Sequence, residues 1–569
     1  MNRAAIYHRP MSEYCHGLDE GHIVYRLRCA KGDLERVTLS YGDTACRVTP
    51  IIFTTLEMEK AASDEFHDYW EVTAESKYSR VYYYFTLYAQ DGEWTHYYGG
   101  ELTRTLVDER SEYFKLPYNH RADIARVPDW ARDALVYNIF PDSFASADGF
   151  VPGTGAELEY NGECSRSRLG GTLDGVAANA RYIKALGFNC VYLNPVFAAG
   201  EYHKYDTLDY MHADPCFGGD AAFKRMVETL HREGLRVIID GVFNHCGWRF
   251  WAFEDVVRNQ EKSKYCSWFY CLEFPVERPA GPEAYPTYAT YAYERMMPKL
   301  NTADPGLREY LCNVGRYWIE EFGVDGWRLD VASEVDDGFW RAFRAACKAA
   351  KPDALLIGEV WETAPHWLAG DMFDSTMNYD FRRHCLRFFA RGELDAAGFA
   401  ARCGDMLMRY KKQMSGVQLN LLDSHDVPRF LTLCGGDRRR YKLALLFMFS
   451  FVGMPMLFYG DELGMEGLEE LDYRAPMPWG GGDRELCGFI CRLAALRRGH
   501  AALRRGDFRV KHACGGLLVY ERRLGAERVT VALNASDRAE PLPGAAGPPL
   551  WAEGLGDSAL APWGFAVWG

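Results

Sequence analysis

Charged side chains end several apolar runs of this sequence, and the first to consider are Arg328 and Asp330. They close the run 326–331, where alternate residues of a strand would share one face. A guanidinium beside a carboxylate offsets the cost of burying it, so we expect a lowered pKa and an ionised Asp330. The two residues could form a plain structural ion pair, or they could hold a carboxylate ready for nucleophilic attack.

A second carboxylate, Glu359, ends the run 354–360 beside the apolar residues Val360 and Trp361. Apolar surroundings favour the protonated form of a carboxyl group, so Glu359 could act as a general acid. Together with an ionised Asp330 it has the chemistry of a two-carboxylate displacement at an acetal carbon, in which Glu359 later acts as base on water. Retention of configuration would require the two carboxyl groups to lie about 5–5.5 Å apart.

Six further polar residues stand at or just after the ends of two other apolar runs: Asp240, Asn244, His245, Asp423, His425 and Asp426. In a closed parallel barrel, the carboxyl ends of the strands are where active sites form. Asp426 would then be a third carboxylate that binds sugar hydroxyls more strongly in a distorted transition state. His245 and His425 could donate to the same hydroxyls, or they could be structural hydrogen-bonding residues at strand ends.

The elements that must position these residues alternate between apolar strands and amphipathic helices. Eight strands are predicted at 134–140, 190–194, 236–242, 326–331, 354–360, 372–377, 417–422 and 455–459. Helical spacing of apolar residues predicts helices between them, for example at 220–233, 307–322 and 439–451. The fold class is therefore α/β, with a closed (β/α)8 barrel over residues 126–500. The gap after the third strand is too long for a plain connection, which predicts a small inserted domain at about 246–303.

Short alternating strands broken by Gly-Asp and Asp-Gly turns flank the barrel on both sides. They predict an N-terminal all-β sandwich over residues 1–125 and a C-terminal all-β sandwich over 501–569, with a Pro/Gly-rich turn region at 541–549. Two aromatic runs, at 82–85 and 94–98, could form a sugar-stacking surface, sandwich core or an oligomer contact.

Composition restricts which class of partner the chain can bind and which cell compartment it can occupy. The formal net charge of −14 argues against nucleic acid or an anionic membrane surface as the main partner. The first residues lack the apolar run of a secretion signal, and no stretch is long enough to span a bilayer. Seventeen cysteines without a disulfide framework indicate a reduced, cytoplasmic chain.

Four segments resemble, in order and spacing, the signature regions of the alpha-amylase family of glycoside hydrolases: Gly-Val-Phe-Asn-His at 241–245, Gly-Trp-Arg-Leu-Asp at 326–330, Gly-Glu-Val at 358–360 and Ser-His-Asp at 424–426. Met-Pro-Lys-Leu-Asn at 297–301 is similar to a fifth region of the cyclomaltodextrinase, neopullulanase and maltogenic amylase branch. Segments 194–197 and 203–207 fit that branch, and 5–10 resembles the start of its N-terminal starch-binding-type module.

The resemblance implies a role for each matching residue. Asp330 becomes the nucleophile, Glu359 the acid/base and Asp426 the transition-state stabiliser. Tyr205 becomes the ring on which the glucose at the cleaved bond stacks. The remaining predicted substrate-binding residues are Arg328, His203, His245, His425, Asp240, Asn244 and Glu334.

The resemblance also implies an activity and an assembly. We expect retaining hydrolysis of α-1,4-glucosidic bonds, with some α-1,6 cleavage and transglycosylation, on cyclodextrins, maltooligosaccharides or pullulan. We expect a homodimer in which the N-terminal module covers the partner's active site. Two alternatives stay open: an oligo-α-glucosidase or chiefly transglycosylating relative, and a glucan-binding protein with a silent barrel.

Three positions depart from the family pattern. Relatives often carry a calcium loop rich in Asp and Asn after the first barrel strand and an aspartate in a Gly-Gly-Asp motif, whereas this chain has Ser-Phe-Ala-Ser-Ala-Asp-Gly at 143–149 and Gly-Gly-Thr at 170–172. A hard cation wants six or more oxygen ligands, so we predict no bound metal there. Ser333 stands where an asparagine is usual, and Gly-Gly-Gly at 480–482 replaces a more charged loop.

Overall fold

The computed structural model describes residues 1–147, 168–281, 284–544 and 547–569. Its centre is a closed barrel of parallel strands, in which the last strand pairs with the first. The eight barrel strands are Val136–Ile139, Cys190–Leu193, Arg236–Gly241, Gly326–Leu329, Leu355–Gly358, Ser375–Asn378, Leu419–Leu421 and Met454–Phe458. All eight predicted strands are confirmed, and each is buried because the helices cover the outside of the barrel.

Helices pack around the barrel with one apolar face inward. The longer ones are Gly219–Arg232, Pro305–Phe322, Asp337–Ala350, Ala396–Met408, Arg438–Ser450 and Arg484–Gly499. In Gly219–Arg232 the buried residues Phe223, Met226, Val227 and Leu230 recur at helical spacing. Shorter helical pieces are Leu173–Ala178, Ala180–Leu186, Tyr379–Cys385 and Ala501–Arg505.

The connection after the fifth strand differs from the predicted strand–helix rhythm. Residues 359–374, all of them described, contain turns and no helix before the sixth strand begins at Ser375. Pro365 and Gly370 lie within this connection, and Gly370 has a φ of 117°. A proline and a left-handed glycine this close together leave too few residues for a stable helix. The open connection leaves Glu359 and Trp361 in irregular backbone at the barrel rim.

The inserted segment lies between the third strand and the helix Pro305–Phe322, as predicted. It contains the helix Trp251–Asn259 and a two-stranded hairpin formed by Thr290–Tyr291 and Glu294–Pro298. Its return path runs beside the barrel rim, where Lys299 forms a β-bridge with His245 and Leu300 forms one with Phe269. The insertion therefore forms one wall above the barrel mouth.

The N-terminal strands form two antiparallel sheets. One has Cys15–Gly17, His22–Ala30, His67–Glu75 and Glu59–Ser63, and the other has Thr54–Glu57, Leu34–Asp43, Val81–Ala89, Trp94–Tyr98, Glu101–Thr103 and Phe114–Leu116. Tyr83 and Phe85 from the first aromatic run are fully buried in the core of this module. Of the three interpretations of that run, packing in the core accounts for these two rings.

The C-terminal strands form one six-stranded antiparallel sheet, which confirms an all-β module there. Its strands are Asp507–Cys514, Leu517–Leu524, Glu527–Asn534, Glu540–Pro541, Trp551–Leu555 and Ala559–Trp568. Residues 545 and 546 of the predicted turn region lie outside the described residues. Among the described helices, none combines the length and the apolar content needed to cross a bilayer.

Candidate active site

Arg328 is the hub of the site, and it is fully buried at the end of the fourth barrel strand. Its Nη1 lies 2.6 Å from Asp330 Oδ1 and 3.0 Å from Asp240 Oδ1. Its Nη2 lies 2.9 Å from Glu359 Oε1 and 3.6 Å from Asp426 Oδ2. One guanidinium thus joins four carboxyl groups that come from the ends of four barrel strands. The predicted pairing of Arg328 with Asp330 is present. The spacing of residues along the chain did not indicate that Arg328 also reaches the other three carboxyl groups.

Asp240 is held from two sides by phenol hydroxyls. Its Oδ2 accepts hydrogen bonds from Tyr192 at 2.7 Å and from Tyr205 at 3.1 Å. Asp240 is completely buried, and burial raises its pKa. Asp240 faces Arg328 and the two hydroxyls, and it does not line the cleft. Its role in this structure is therefore to hold the guanidinium of Arg328 in position.

Glu359 is oriented by two donors from different elements. The backbone N–H of Val331 donates to its Oε2 at 2.8 Å, and the indole Nε1–H of Trp361 donates to its Oε1 at 3.0 Å. Val331 has a φ of 45°, a left-handed conformation that is rare for a β-branched residue. This strained turn directly follows Asp330, so the turn that comes after the predicted nucleophile also positions the candidate acid.

Asp426 follows the seventh strand and lies between a histidine and an arginine. Its Oδ2 is 3.0 Å from His425 Nε2, and its Oδ1 is 3.6 Å from Arg474 Nη2. Burial lowers the pKa of His425 well below its ordinary value, with Arg328 as the next cause, so the ring is neutral. Arg474 also donates from Nε to the backbone carbonyl of His425 at 2.7 Å. These contacts fix the positions of His425 and Asp426 in the Ser-His-Asp segment.

Charge in the cluster is unbalanced, since one buried guanidinium faces four carboxyl groups. Burial raises the pKa of Asp330 well above its ordinary value; Arg328 opposes the rise, and Glu359 and Asp240 add to it. Burial raises the pKa of Asp426 to about 7, with Glu359 as the next cause. The expected lowering of the Asp330 pKa is therefore wrong, because burial and neighbouring carboxylates outweigh one arginine. Both shifts favour the protonated forms of Asp330 and Asp426.

A cleft of about 890 Å³ opens above this cluster, and Asp330, Glu359 and Asp426 all lie on its wall. Three predicted substrate-binding rings line it as well: His203, Tyr205 and His245. The ring of Tyr205 stacks on that of His425, with centroids 5.6 Å apart and planes 9° apart. The predicted nucleophile, acid and stabiliser therefore share one cavity that is large enough for several sugar rings.

Glu334 and Asn244 meet at Lys299, which the inserted segment supplies. Lys299 Nζ donates to the backbone carbonyl of Glu334 at 2.8 Å, lies 3.3 Å from its Oε2 and also donates to Asn244 Oδ1. Glu334 is half exposed on the cleft wall, whereas Asn244 is fully buried. The insertion is thereby fastened to the third and fourth strand ends.

Four of the predicted substrate-binding residues lie behind the cleft surface and have no exposed area: Arg328, Asp240, Asn244 and His425. Their contacts are with other residues of the site, so in this structure they position the groups that line the cleft. Their contact with a bound sugar stays a prediction.

Several residues of the site were missed by sequence reasoning. Tyr291 of the insertion stacks on His245 with ring centroids 4.6 Å apart, and Arg474 joins Asp426 from the connection after the eighth strand. Neither lies in a recognisable motif, and only the folded chain brings them in. Tyr192 could have been found, because it precedes Asn194 by two residues on a predicted strand and shares its face.

The described residues do not fit a calcium site after the first strand. The carboxylate of Asp142 accepts hydrogen bonds from the backbone N–H groups of Leu169 at 3.1 Å and Gly170 at 3.2 Å. Thr172 accepts from Gly175 N at 3.0 Å and caps the helix Leu173–Ala178. Within the described ranges no group of three or more His, Cys, Asp or Glu is placed to hold a metal ion. Residues 148 and 149 of the predicted loop lie outside those ranges, and the absence of a metal stays a prediction.

Comparison with known proteins agrees with this geometry along the whole chain. Residues 138–497 match the family described as "Alpha amylase, catalytic domain", and residues 1–120 match "Alpha amylase, N-terminal ig-like domain". The chain is 40% identical to a cyclomaltodextrinase of Geobacillus thermopakistaniensis (strain MAS1), over 95% of this chain and 93% of that protein. It is 41% identical to neopullulanase 2 of Thermoactinomyces vulgaris, over 93% of this chain and 90% of that protein.

A solved structure gives the same result in three dimensions. A cyclomaltodextrinase structure superposes with a TM-score of 0.90 at 37% identity and covers 100% of both chains. The matched ranges include all four strand ends whose carboxyl groups meet at Arg328. By its barrel, its N-terminal module and its sequence, the chain belongs to the alpha-amylase family of glycoside hydrolases.

Proposed function

We propose that the chain hydrolyses α-1,4-glucosidic bonds, and some α-1,6 bonds, with retention of anomeric configuration. The observation that carries the proposal is the bridge at Arg328, whose two terminal nitrogens lie 2.6 Å from Asp330 and 2.9 Å from Glu359. Two carboxyl groups joined through one guanidinium lie close together, which supports the short separation of retaining enzymes. Both also lie on the wall of one cleft.

The reaction follows from which groups hold protons. Glu359 transfers its proton to the glycosidic oxygen while a carboxylate oxygen of Asp330 forms a bond to the anomeric carbon, and the C–O bond to the leaving sugar breaks. Glu359, now a carboxylate, then removes a proton from water, whose oxygen attacks the same carbon and releases Asp330. Arg328 favours the ionised form of Asp330 that this step needs, because its charge opposes the rise in the pKa of that carboxyl group. Asp426 would bind hydroxyls of the distorted ring.

The proposed substrates are cyclodextrins, maltooligosaccharides and pullulan. The support is that the similar proteins are named cyclomaltodextrinase and neopullulanase, and that the cleft of about 890 Å³ has room for several rings. Initial rates on β-cyclodextrin, pullulan and soluble starch at equal glucose equivalents would rank these substrates. Rates confined to terminal glucose release would favour an oligo-α-glucosidase instead.

Product stereochemistry tests the mechanism. Proton NMR in the first minutes of reaction should show the α-anomer at the new reducing end before mutarotation, and β-anomer first would overturn retention. Asp330→Asn should lower kcat by about 10⁴-fold or more, since it removes the covalent step. Asp353→Asn is the matched control, because Asp353 is half exposed and far from the cluster, and it should keep normal activity.

A glucan-binding protein with a silent barrel is the alternative from another class. It would bind cyclodextrin and release no reducing sugar, and Asp330→Asn would change nothing. Equal product from wild type and Asp330→Asn would also remove Asp330 as the nucleophile.

We also propose a homodimer that forms through the N-terminal module. Exposed apolar side chains on that module support this proposal, namely Met11 at 64%, Ile52 at 72% and Phe66 at 68%. Sedimentation velocity should show two chains per particle, and Ile52→Asp should shift the particle toward one chain. Leu550→Asp, which changes an exposed apolar residue of the C-terminal module, is the control and should leave the dimer intact.

A cytoplasmic location is proposed on the basis of cysteine chemistry. The described cysteines are free thiols, and several are fully buried. Free thiols persist in reducing compartments. Fractionation of cells should place the activity with soluble cytoplasmic marker enzymes, and activity in the medium would contradict this location.

A further inference from the structure

A second cavity, of about 670 Å³, lies on the opposite face of the barrel from the cleft. Gly416 and Val452 line it, and these residues precede the seventh and eighth barrel strands, whereas the catalytic cluster follows strand ends. Arg26 contributes from the N-terminal module and Arg528 from the C-terminal module. The cavity is therefore the place where all three modules of the chain meet.

The wall of this cavity is strongly basic. Of the described residues that line it, eight are arginine or lysine and three are aspartate or glutamate. The whole chain, in contrast, has a formal net charge of −14. A local reversal of charge in a concave site concentrates anions there.

Some of these cations are neutralised by the protein itself. Glu71 lies 2.7 Å from both Arg26 Nε and Lys412 Nζ. Arg505 is paired with Asp129 at 2.8 Å and with Asp133 at 2.5 Å. Arg523 lies 2.5 Å from Glu59, and Arg504 lies 3.5 Å from Asp133. The cations that are left to give the wall its excess positive charge are Arg132, Arg509 and Arg528.

Other cations on the wall have weak partners or none. No hydrogen bond or ion pair joins the guanidinium of Arg132 to any described residue, although it is half-buried. Arg509 has carboxylates only at 3.7 and 3.9 Å, and its Nη1 donates to a backbone carbonyl. Arg528 donates to backbone carbonyls and has its nearest carboxylate, that of Glu521, at 3.8 Å. Three guanidinium groups from two modules thus face the cavity with unused donors.

The layer behind the wall adds to the positive charge. Arg497 and Arg522 are fully buried, and their guanidinium groups donate to backbone carbonyls such as those of Gly453 and Leu503. Burial lowers the pKa of Arg497 to about 9, and Arg522 and Arg504 lower it further. Buried cations that repel one another destabilise the junction unless an anion lies nearby.

We propose that this cavity binds a phosphoryl anion, either free phosphate or the phosphate group of a phosphorylated sugar. Guanidinium groups bind phosphate through paired N–H donors, and those of Arg132, Arg509 and Arg528 are the available ones. The volume lies within the range of small-molecule sites and exceeds what one phosphate fills, which leaves room for an attached sugar. Because Arg132 belongs to the barrel and Arg509 and Arg528 belong to the C-terminal module, the bound anion joins these two modules and stabilises the assembled chain.

Thermal unfolding of the full chain tests the site. At constant ionic strength, glucose 6-phosphate or inorganic phosphate should raise Tm saturably, by about 1–3 °C, and glucose should not. Tighter binding of glucose 6-phosphate than of phosphate would assign the phosphorylated sugar, and equal binding would assign free phosphate. Arg132→Gln and Arg528→Gln should each weaken the midpoint of this response about tenfold, which is the loss of one charge-assisted contact.

The control is Arg181→Gln, which removes the same charge from a side chain that is 88% exposed on the barrel surface. It should leave the response unchanged. If it weakens the response as much as Arg132→Gln does, or if sodium chloride or glucose produces the same rise, the site does not exist as proposed. Activity on a short glucan shows whether Arg132→Gln has folded. If it has not, the response of Arg528→Gln, at the exposed opening of the cavity, decides whether the site exists.

Discussion

At the scale of single residues, the proposed chemistry depends on the two terminal nitrogens of Arg328. Each contacts a different pair of carboxyl groups: Nη1 reaches Asp240 and Asp330, and Nη2 reaches Glu359 and Asp426. A lysine would supply the same charge from one point and could not hold both pairs. Position 328 therefore needs the planar guanidinium group, with its two terminal nitrogens, and not a positive charge alone.

Replacing Arg328 by lysine should test this requirement. We expect kcat to fall by about 10²–10³-fold, or about 3–4 kcal/mol of transition-state stabilisation, because Asp330 and Glu359 lose their common anchor. Steady-state kinetics on β-cyclodextrin measure the effect, and circular dichroism verifies the fold. A loss smaller than threefold would mean that charge alone suffices.

The raised pKa of Asp426 predicts a pH-dependent stability. Its folded pKa of about 7 lies above the ordinary carboxyl value, so the folded chain keeps a proton that the unfolded chain releases. This contribution is complete below about pH 4 and is lost as the pH rises through about 7. Asp426→Asn removes the titration, so its stability relative to wild type should increase by about 2 kcal/mol between pH 5 and pH 8.

Urea unfolding at pH 5, 6, 7 and 8 measures this difference. Asp353→Asn, which removes a half-exposed carboxylate that lies 3.8 Å from Arg236, is the control for the loss of one carboxylate. A relative stability of Asp426→Asn that stays constant or falls with pH would contradict the assigned direction.

At the scale of elements, the turn after the fourth strand has a strained backbone conformation and also positions the side chain of Glu359. Val331 is held at a φ of 45° while its N–H donates to Glu359, and Asp330 stands between it and the end of the strand Gly326–Leu329. The surrounding barrel imposes this conformation, since residues on either side are fixed by backbone hydrogen bonds to Gly241 and Glu359. Strain of this kind persists only where the rest of the fold over-determines it.

Val331→Gly should relieve that strain. We expect a gain of up to about 1 kcal/mol in unfolding free energy, together with a fall in kcat of a few fold as the turn loosens beside the carboxylates. Val335→Gly is the matched control: Val335 is buried with a φ of −110°, so this change should destabilise by about 2 kcal/mol. Equal destabilisation by both variants would show that Val331 carries no strain.

At the scale of the whole molecule, a buried ion network fastens the N-terminal module to the barrel. Arg26 pairs with Glu71 and donates from Nη1 to the backbone carbonyl of Tyr410 at 2.6 Å, while Lys412 from the barrel reaches the other oxygen of Glu71. Glu71 faces both cations, and Asp507 also lies 2.9 Å from Lys412. Lys412 and Arg26 hold its pKa well below the ordinary value in spite of burial.

Glu71→Gln should therefore weaken the junction. Arg26 would be left buried with a neutral partner, whereas Lys412 would keep Asp507 at 2.9 Å, and we expect a cost of about 3 kcal/mol. Glu57→Gln is the control, because Glu57 pairs with Arg36 at an exposed site and its loss should have little effect. Calorimetry of Glu71→Gln, but not of Glu57→Gln, should show that the N-terminal module unfolds at a lower temperature or in a separate transition. Equal profiles for the two variants would mean that this ion network does not hold the N-terminal module to the barrel.

The sequence by itself determined the order of elements and the identity of the main chemical groups. The periodicity of apolar residues was enough for all eight barrel strands, and the placement of Asp330, Glu359 and Asp426 after strands was enough to expect them at one rim. These features are local, because a few consecutive residues are enough to predict both that a strand is buried and which residue follows its end.

Only the tertiary structure decided how the charges are shared. Sequence neighbours suggested one arginine for one aspartate, whereas the closed barrel brings four carboxyl groups to Arg328 and so reverses the expected pKa of Asp330. Arg474, Tyr291 and the basic cavity likewise depend on residues far apart in the chain. Electrostatic energies depend on distance and burial in space, and neither quantity is encoded by the separation of residues along the sequence.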